Sequence, residues 1–119
     1  MQYMKLEVWQ RSYQVALTTC NLVKHFNNFA LKDQISRSAI SIPSNIAEGA
    51  ERKTAKDNVK FLYIAKGSCG ELLTQVMLAR DLLYLLYIEE KMANKLITEL
   101  YDISKMIGGY IRYHSQHIT

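Results

Sequence analysis

Residues 33–53, DQISRSAISIPSNIAEGAERK, contain the pattern that decides the fold. Apolar side chains recur there at gaps of three and four, which places one face of an α-helix at Ile35, Ala39, Ile42 and Ile46. Proline has no amide hydrogen and its ring crowds the carbonyl of Ala39, so the pattern predicts a helix with a kink at Pro43. A second interpretation places Pro43 in the first turn of a new helix, with the preceding stretch ending early.

Helical spacing also extends toward the N-terminus. Apolar and small residues there predict a first helix that ends near Asn27 and buries one stripe, made of Leu6, Trp9, Tyr13, Ala16, Cys20 and Val23. The segment of residues 33–53 is therefore expected to be the second helix of the chain.

A third helix is predicted from Thr54 to about Tyr87. It begins with a capping motif, because the Thr54 side chain can accept a hydrogen bond from the amide of Asp57. Its apolar residues fall on two faces, one with Phe61, Ala65, Leu72, Ala79, Leu82 and Leu86 and the other with Leu62, Cys69, Leu73, Val76 and Leu83. One apolar stripe suffices for an isolated bundle, so the second is expected to contact another copy of the protein.

A fourth helix is predicted from about Glu90 to His114. Its apolar register comprises Leu96, Leu100, Ile103, Ile107 and Tyr110. The connections between helices are short, which favours antiparallel neighbours. The predicted fold is an all-α, up-down-up-down antiparallel four-helix bundle that forms one domain over residues 1–119 and assembles into a ring-shaped homo-oligomer.

Composition agrees with a single small helical domain. The 119 residues are 49% apolar and 22% charged, with one proline, so the chain is neither disordered nor rich in turns. The formal net charge is +4, and residues 1–60 hold nine basic and five acidic residues, whereas residues 61–119 hold six of each. This bias permits an anionic partner without requiring one.

The sequence offers no recognisable catalytic constellation. Ser68, Cys69 and Gly70 follow one another without a base oriented by a third group, and small residues there are explained by a tight helix crossing. His114 and His117 lie one turn apart but have no further ligand nearby, so no metal site, cofactor or small-molecule substrate is predicted. Two isolated cysteines, with no signal peptide or membrane-spanning run, favour the cytoplasm and no membrane association.

A basic set provides the candidate nucleic-acid contacts, namely Arg37, Arg52, Lys53, Lys56 and Lys60. Three of them, Arg52, Lys56 and Lys60, follow at four-residue steps and can present a patch to phosphates. The alternative is an ordinary solvated face, because acidic residues interrupt the set at Glu48, Glu51 and Asp57.

One extended motif resembles a known family. The run from Arg37 to Gly49 contains Ser-Ile-Pro-Ser-Asn-Ile-Ala-Glu-Gly, and Phe61-Leu-x-x-Ala-x-Gly-Ser-x-x-Glu-Leu follows. Both resemble the four-helix-bundle family encoded by intervening sequences of bacterial large-subunit ribosomal RNA. That family is similar to the accessory variability determinant of diversity-generating retroelements, a basic homopentamer that binds reverse transcriptase and nucleic acid.

The resemblance implies a homopentamer in the bacterial cytoplasm, with RNA or a reverse-transcriptase-like protein as candidate partner and no known enzyme activity. The matched positions are Arg37, Pro43, Ser44, Asn45, Glu48, Gly49, Arg52, Gly67, Ser68 and Glu71. These residues also have a structural interpretation. Ser44 and Asn45 can satisfy carbonyls freed by Pro43, and Glu48 and Glu71 can pair with Arg37 or Arg52 between helices.

The functional prediction is a non-enzymatic homo-oligomeric binding or assembly protein that contacts RNA or an RNA-handling partner. The alternative is a protein–protein adaptor without nucleic-acid binding. The adaptor would accept a partner helix in a groove and show little salt-dependent binding of RNA.

Overall fold

The computed structural model describes residues 1–82 and 89–119, and all regular structure in these residues is helical. The main elements are α1 (Glu7–Leu22), α2 (Phe29–Ala50), α3 (Ala55–Asp81) and α4 (Glu90–Ser115). Single 3₁₀ turns precede and follow α1, at Gln2–Lys5 and Val23–His25. The prediction of four helices is confirmed. The part of the third helix predicted at residues 83–87 lies outside the described residues.

Capping side chains explain where α2 and α3 begin. The Asn28 side chain accepts a hydrogen bond from the amide of Leu31 at 3.0 Å, so α2 begins at Phe29 and not at Asp33. At the start of α3 the Asp57 amide donates to Thr54 Oγ1 at 3.1 Å, which confirms the predicted cap. The predicted end of the second helix at Lys53 was wrong, because α2 ends at Ala50.

Pro43 lies inside α2, and the helix is continuous on both sides of it. The alternative that a new helix begins at Pro43 was therefore wrong. Ile42 and Ile46, which flank the proline, are both buried, so packing holds the helix together where one backbone hydrogen bond is lost. A kink at Pro43 stays a prediction.

The core uses a different stripe of α1 from the one predicted. Its buried residues are Val8, Ser12, Val15 and Thr19, whereas Trp9 is half-buried and Tyr13 is exposed. Ser12 can be buried because its hydroxyl donates to the Trp9 carbonyl at 2.9 Å. Hydrophobicity alone could not identify a buried stripe that contains two hydroxyl residues.

Helix α3 packs against both α2 and α4. Residues from both of its predicted apolar faces are consequently buried within one subunit, namely Leu62, Ala65, Cys69, Leu72, Val76 and Ala79. The second apolar face of α3 therefore does not require contact with another copy, because neighbouring helices of the same chain bury residues of both faces.

The glycine of α2 is closely packed, whereas the two glycines of α3 face open space. A Cβ on Gly49 would lie 2.7 Å from Asn58 Oδ1 and 3.1 Å from Phe61 Cβ, so the two helices pack very closely there. A Cβ on Gly67 or Gly70 would meet nothing within 4 Å. The predicted tight helix crossing at Gly67 and Gly70 was therefore wrong for the subunit, since these glycines face open space.

Hydrogen bonds show how α4 is positioned. Asn58 contacts His114 (Nδ2 to Nε2, 3.3 Å), and Arg80 Nη1 donates to Asn94 Oδ1 at 2.8 Å. The beginning of α3 therefore lies beside the end of α4. Arg11 of α1 also reaches α4, where it pairs with Glu99 and, at 3.3 Å, with Asp102.

Candidate functional surfaces

An apolar groove lies between α1 and α2. It has a volume of about 440 Å³, and its walls include Trp9, Tyr13, Leu17, Cys20, Ile40 and Pro43. Three large side chains in it remain substantially exposed: Tyr13 at 43%, Leu17 at 46% and Ile40 at 52%. Trp9 stacks on Tyr13 with ring centroids 5.1 Å apart, which orders this wall. Four residues of the stripe predicted as core, Trp9, Tyr13, Ala16 and Cys20, therefore line an open groove, whereas Val23 is buried as predicted.

Sequence reasoning missed Leu17 and Ile40 as residues of this groove. The signal was nevertheless present. Leu17 follows Tyr13 by four residues and so lies on the same helical face, and Ile40 is apolar but out of register with Ile35, Ala39 and Ile42.

A second groove, between α2 and α3, has mostly polar residues in its walls and contains five of the ten matched family positions. It has a volume of about 530 Å³, and it is lined by Arg37, Ser41, Ser44, Asn45, Ser68 and Glu71, among others. The hydroxyls of Ser41 and Ser68 are 2.8 Å apart, which joins the two helices. Asn45 Nδ2 donates to Ser41 Oγ at 2.9 Å and to the Ser41 carbonyl at 2.8 Å. These bonds hold the floor of the polar groove.

The predicted role of Asn45 and Ser44 at Pro43 was wrong. The carbonyl that loses its helical donor belongs to Ala39, whereas Asn45 donates to the carbonyl of Ser41. Ser44 is exposed, and its hydroxyl bonds to no residue within 1–82 and 89–119. The Ser41 carbonyl lies one helical turn before Asn45, within reach of its side chain, whereas the Ala39 carbonyl lies six residues before it. This difference explains why Asn45 bonds to Ser41.

The motif's ion pairs are local in sequence and do not join two helices. The predicted partners Glu48 and Arg52 do pair, whereas Arg37 pairs with Asp33 and not with Glu48 or Glu71. Arg37 Nε pairs with Asp33 at 3.0 Å, and Arg52 Nη2 pairs with Glu48 at 2.7 Å. The four-residue spacing makes these local partners closer than any on α3. Arg52 still contacts α3, because its guanidinium lies 4.7 Å from the centroid of the Phe61 ring.

The basic set divides into two parts. Arg37 lines the polar groove. The helical rise per residue separates it from Arg52 by roughly 22 Å along the helix axis. Lys53, Lys56 and Lys60 are exposed and form no ion pair with the described residues, so their charges are available to a partner. Only the residues near the junction of α2 and α3 can therefore act together.

The buried Cys69 thiol is a poor nucleophile in this structure. Burial raises its pKa to about 12, although the nearby Lys66 ammonium acts in the opposite direction. A thiol with this pKa is protonated at neutral pH. Cys69 thus packs as a small apolar side chain in the core.

His114 lies at the end of α4 and contacts Asn58 of α3 through its Nε2 atom. Burial, and secondarily the charge of His117, lower the pKa of His114 from 6.5. The unfolded chain therefore binds this proton at higher pH than the folded protein does.

We expect the contribution of His114 to the free energy of unfolding to fall as the pH drops below 6.5, and that contribution to level off once the pH is below the folded pKa of His114. The His114→Gln variant should show a flatter dependence, because it removes the titrating group. Urea unfolding across a pH series measures this. The exposed His25 provides the control variant His25→Gln, and equal slopes for His114→Gln and the wild type would contradict the assignment.

The described part of the chain has neither a cluster of metal-ligating side chains nor a membrane-spanning helix. In residues 1–82 and 89–119, no three side chains of the His, Cys, Asp and Glu types come together in a way that could hold a metal ion. Over the same residues, no helix has the length and apolar content needed to cross a membrane.

The geometry defines an all-helical protein of four packed helices, with an apolar groove between α1 and α2 and a polar groove between α2 and α3. The chain belongs to the 23S rRNA-intervening sequence protein family, whose profile matches residues 4–109. A crystal structure of a Bacteroides thetaiotaomicron protein of unknown function, from the S23 ribosomal protein family, is similar with a TM-score of 0.80 and 25% identity. The similarity covers 87% of this chain and 97% of that one. The chain matches no functionally curated protein.

Proposed function

We propose that this protein is a non-enzymatic subunit of a ring-shaped homopentamer, which binds RNA or an RNA-handling protein such as a reverse-transcriptase-like partner. The observation that carries the proposal is the apolar groove between α1 and α2. The bacterial cytoplasm is the proposed setting, in keeping with two free cysteines and a family linked to ribosomal RNA. An up-down-up-down antiparallel bundle with a bend at Pro43 is the proposed form of the subunit.

The apolar groove supports assembly because burying its exposed apolar side chains in an interface would lower the free energy. Tyr13, Leu17 and Ile40 form a contiguous apolar surface with Trp9, and such patches typically mark interaction sites. Burying one side chain of this size contributes about 1.5–3 kcal/mol. In a ring, the groove of one copy would contact a different surface of the next copy.

Free positive charge near the junction of α2 and α3 supports binding to an anionic partner. Lys53, Lys56 and Lys60 are exposed and have no carboxylate partner among the described residues. A homopentamer would present this group five times around one particle, and phosphate neutralisation by several lysines at once strengthens binding to RNA.

The adaptor function is the second candidate, and the shape of the same groove favours it. An amphipathic helix of a partner protein can place its apolar face in a groove between two helices. This alternative predicts that the chain alone is monomeric and that its groove is filled by another polypeptide.

The test of assembly compares the wild type with the Leu17→Lys/Ile40→Lys variant by light scattering after size exclusion. We expect an oligomer for the wild type and a helical monomer for the variant, because buried unpaired lysines oppose association. The control is Ile64→Lys, which also replaces an exposed apolar residue but lies outside the groove.

A monomeric wild type, or an oligomeric groove variant, would contradict the proposed assembly. A monomeric wild type would leave the adaptor as the better function. Fluorescence anisotropy with a labelled RNA hairpin, measured on the same wild-type species across a salt series, tests the RNA partner. Binding that weakens steeply with salt is expected.

A further inference from the structure

Two cations from different helices converge on one point at the surface. Lys66 of α3 donates from Nζ to Ser104 Oγ of α4 at 3.3 Å. A Cβ on Gly108 would lie 3.8 Å from Lys66 Nζ and 3.6 Å from Arg112 Nη1. Since Gly108 has no side chain, the space between the two cationic groups is open, and one small anion can reach both.

Arg112 differs from the other arginines of the chain. Arg11, Arg37, Arg52 and Arg80 each pair with an aspartate or glutamate. Neither Arg112 nor Lys66 has a carboxylate partner among the described residues. Two positive groups that face one point repel each other, and an anion held between them would remove that repulsion.

The groups around this point match the chemistry of a phosphate. Arg112 supplies a planar fork of N–H donors, Lys66 supplies a compact positive charge, and the Ser104 hydroxyl can donate its own hydrogen. Gly109 also lacks a side chain, and a Cβ there would lie 3.8 Å from Arg112 Nη2. A phosphate oxygen can therefore approach the guanidinium without meeting a side chain at either glycine.

A strip of α3 connects this point with the lysines near the helix junction. Lys60, Tyr63 and Lys66 follow at three-residue steps, so they are neighbours on the helix surface. Tyr63 is 59% exposed, and its ring can stack on a base. Alternating positive charge and an exposed ring suit a nucleic-acid strand better than they suit an acidic peptide.

We propose that Lys66, Ser104 and Arg112 form a phosphate-binding notch over Gly108 and Gly109, and that it takes a backbone phosphate of RNA. This inference rests on the RNA binding proposed above and assigns it to residues of α3 and α4.

The experiment uses a double variant, Lys66→Gln/Arg112→Gln, and a control of equal net charge, Lys91→Gln/Lys95→Gln, at the other end of α4. Affinity for a labelled RNA hairpin is measured by fluorescence anisotropy across a salt series. We expect the notch variant to bind about tenfold more weakly, with a salt slope smaller by about one to two, and the control to change less than about twofold.

A second measurement probes the notch without RNA. Inorganic phosphate is titrated into the wild-type protein at constant ionic strength, and amide resonances are followed by NMR. The Gly108 and Gly109 amide signals should shift in the wild type and not in the notch variant, and the Arg112 Nε–H signal of the wild type should shift with them.

The possible outcomes distinguish failure of the phosphate-binding notch from failure of RNA binding by the protein as a whole. RNA binding that is unchanged in the notch variant, or weakened equally in the control, would overturn the notch and leave RNA binding standing. Absence of RNA binding in the wild type would overturn the RNA ligand together with the proposed RNA function. Phosphate shifts at Gly108 in that case would show that the notch takes free phosphate instead.

Discussion

Replacement of Leu72 by alanine is expected to lower the free energy of unfolding by about 2–5 kcal/mol, because the fully buried side chain would leave a cavity between packed helices. Leu62→Ala is expected to cost a similar amount. The two residues come from the two apolar faces predicted for the third helix, and both are buried within a single subunit. Urea unfolding monitored by circular dichroism measures the loss.

The dependence of the stability loss on protein concentration distinguishes burial within one subunit from burial against another copy. If neighbouring helices of the same chain bury both faces, each loss should be the same at low and high protein concentration. A loss for Leu62→Ala or Leu72→Ala that depends on protein concentration would show that the face contacts another copy. Leu78→Ala is the control, because Leu78 is 47% exposed and its truncation should change stability by less than about 0.5 kcal/mol.

Gly49→Val should lower the free energy of unfolding by about 2–3 kcal/mol, since overpacking forces neighbouring groups to move. The new Cβ would lie 3.0 Å from the backbone oxygen of Asn58 and 3.1 Å from Phe61 Cβ, and neither atom is the end of a flexible side chain. The β-branched valine adds further atoms at this crossing. Thermal and urea unfolding measure the loss.

The same substitution at Gly70 is the matched control. A Cβ there meets nothing within 4 Å, and valine favours a helix slightly more than glycine does. Gly70→Val is therefore expected to be neutral or to stabilise the subunit by up to about 0.5 kcal/mol. Equal losses at Gly49 and Gly70 would contradict the close packing of α2 on α3.

Candidate sites were only partly predictable from sequence. The motif pointed to Arg37, Ser68 and Glu71, and tertiary structure brings them to one polar groove although they come from two helices. Periodicity could not reveal that Lys66 and Arg112 both lie near Gly108, because they are far apart in the chain and are brought near each other only when α3 packs on α4. That neither forms an ion pair with a carboxylate of the described residues is likewise visible only in three dimensions.

The sequence by itself determined the helical class, the four helices and the buried faces of α2 and α4. Those features depend on local spacing, on the capping motif at Thr54 and on apolar residues that recur every three or four positions. Packing alone decided which stripe of α1 enters the core, and so left Trp9, Tyr13 and Leu17 along an open groove. The reason is physical: a helix is stabilised along its own length, whereas the side it buries depends on how its surface fits the shape of the neighbouring helices.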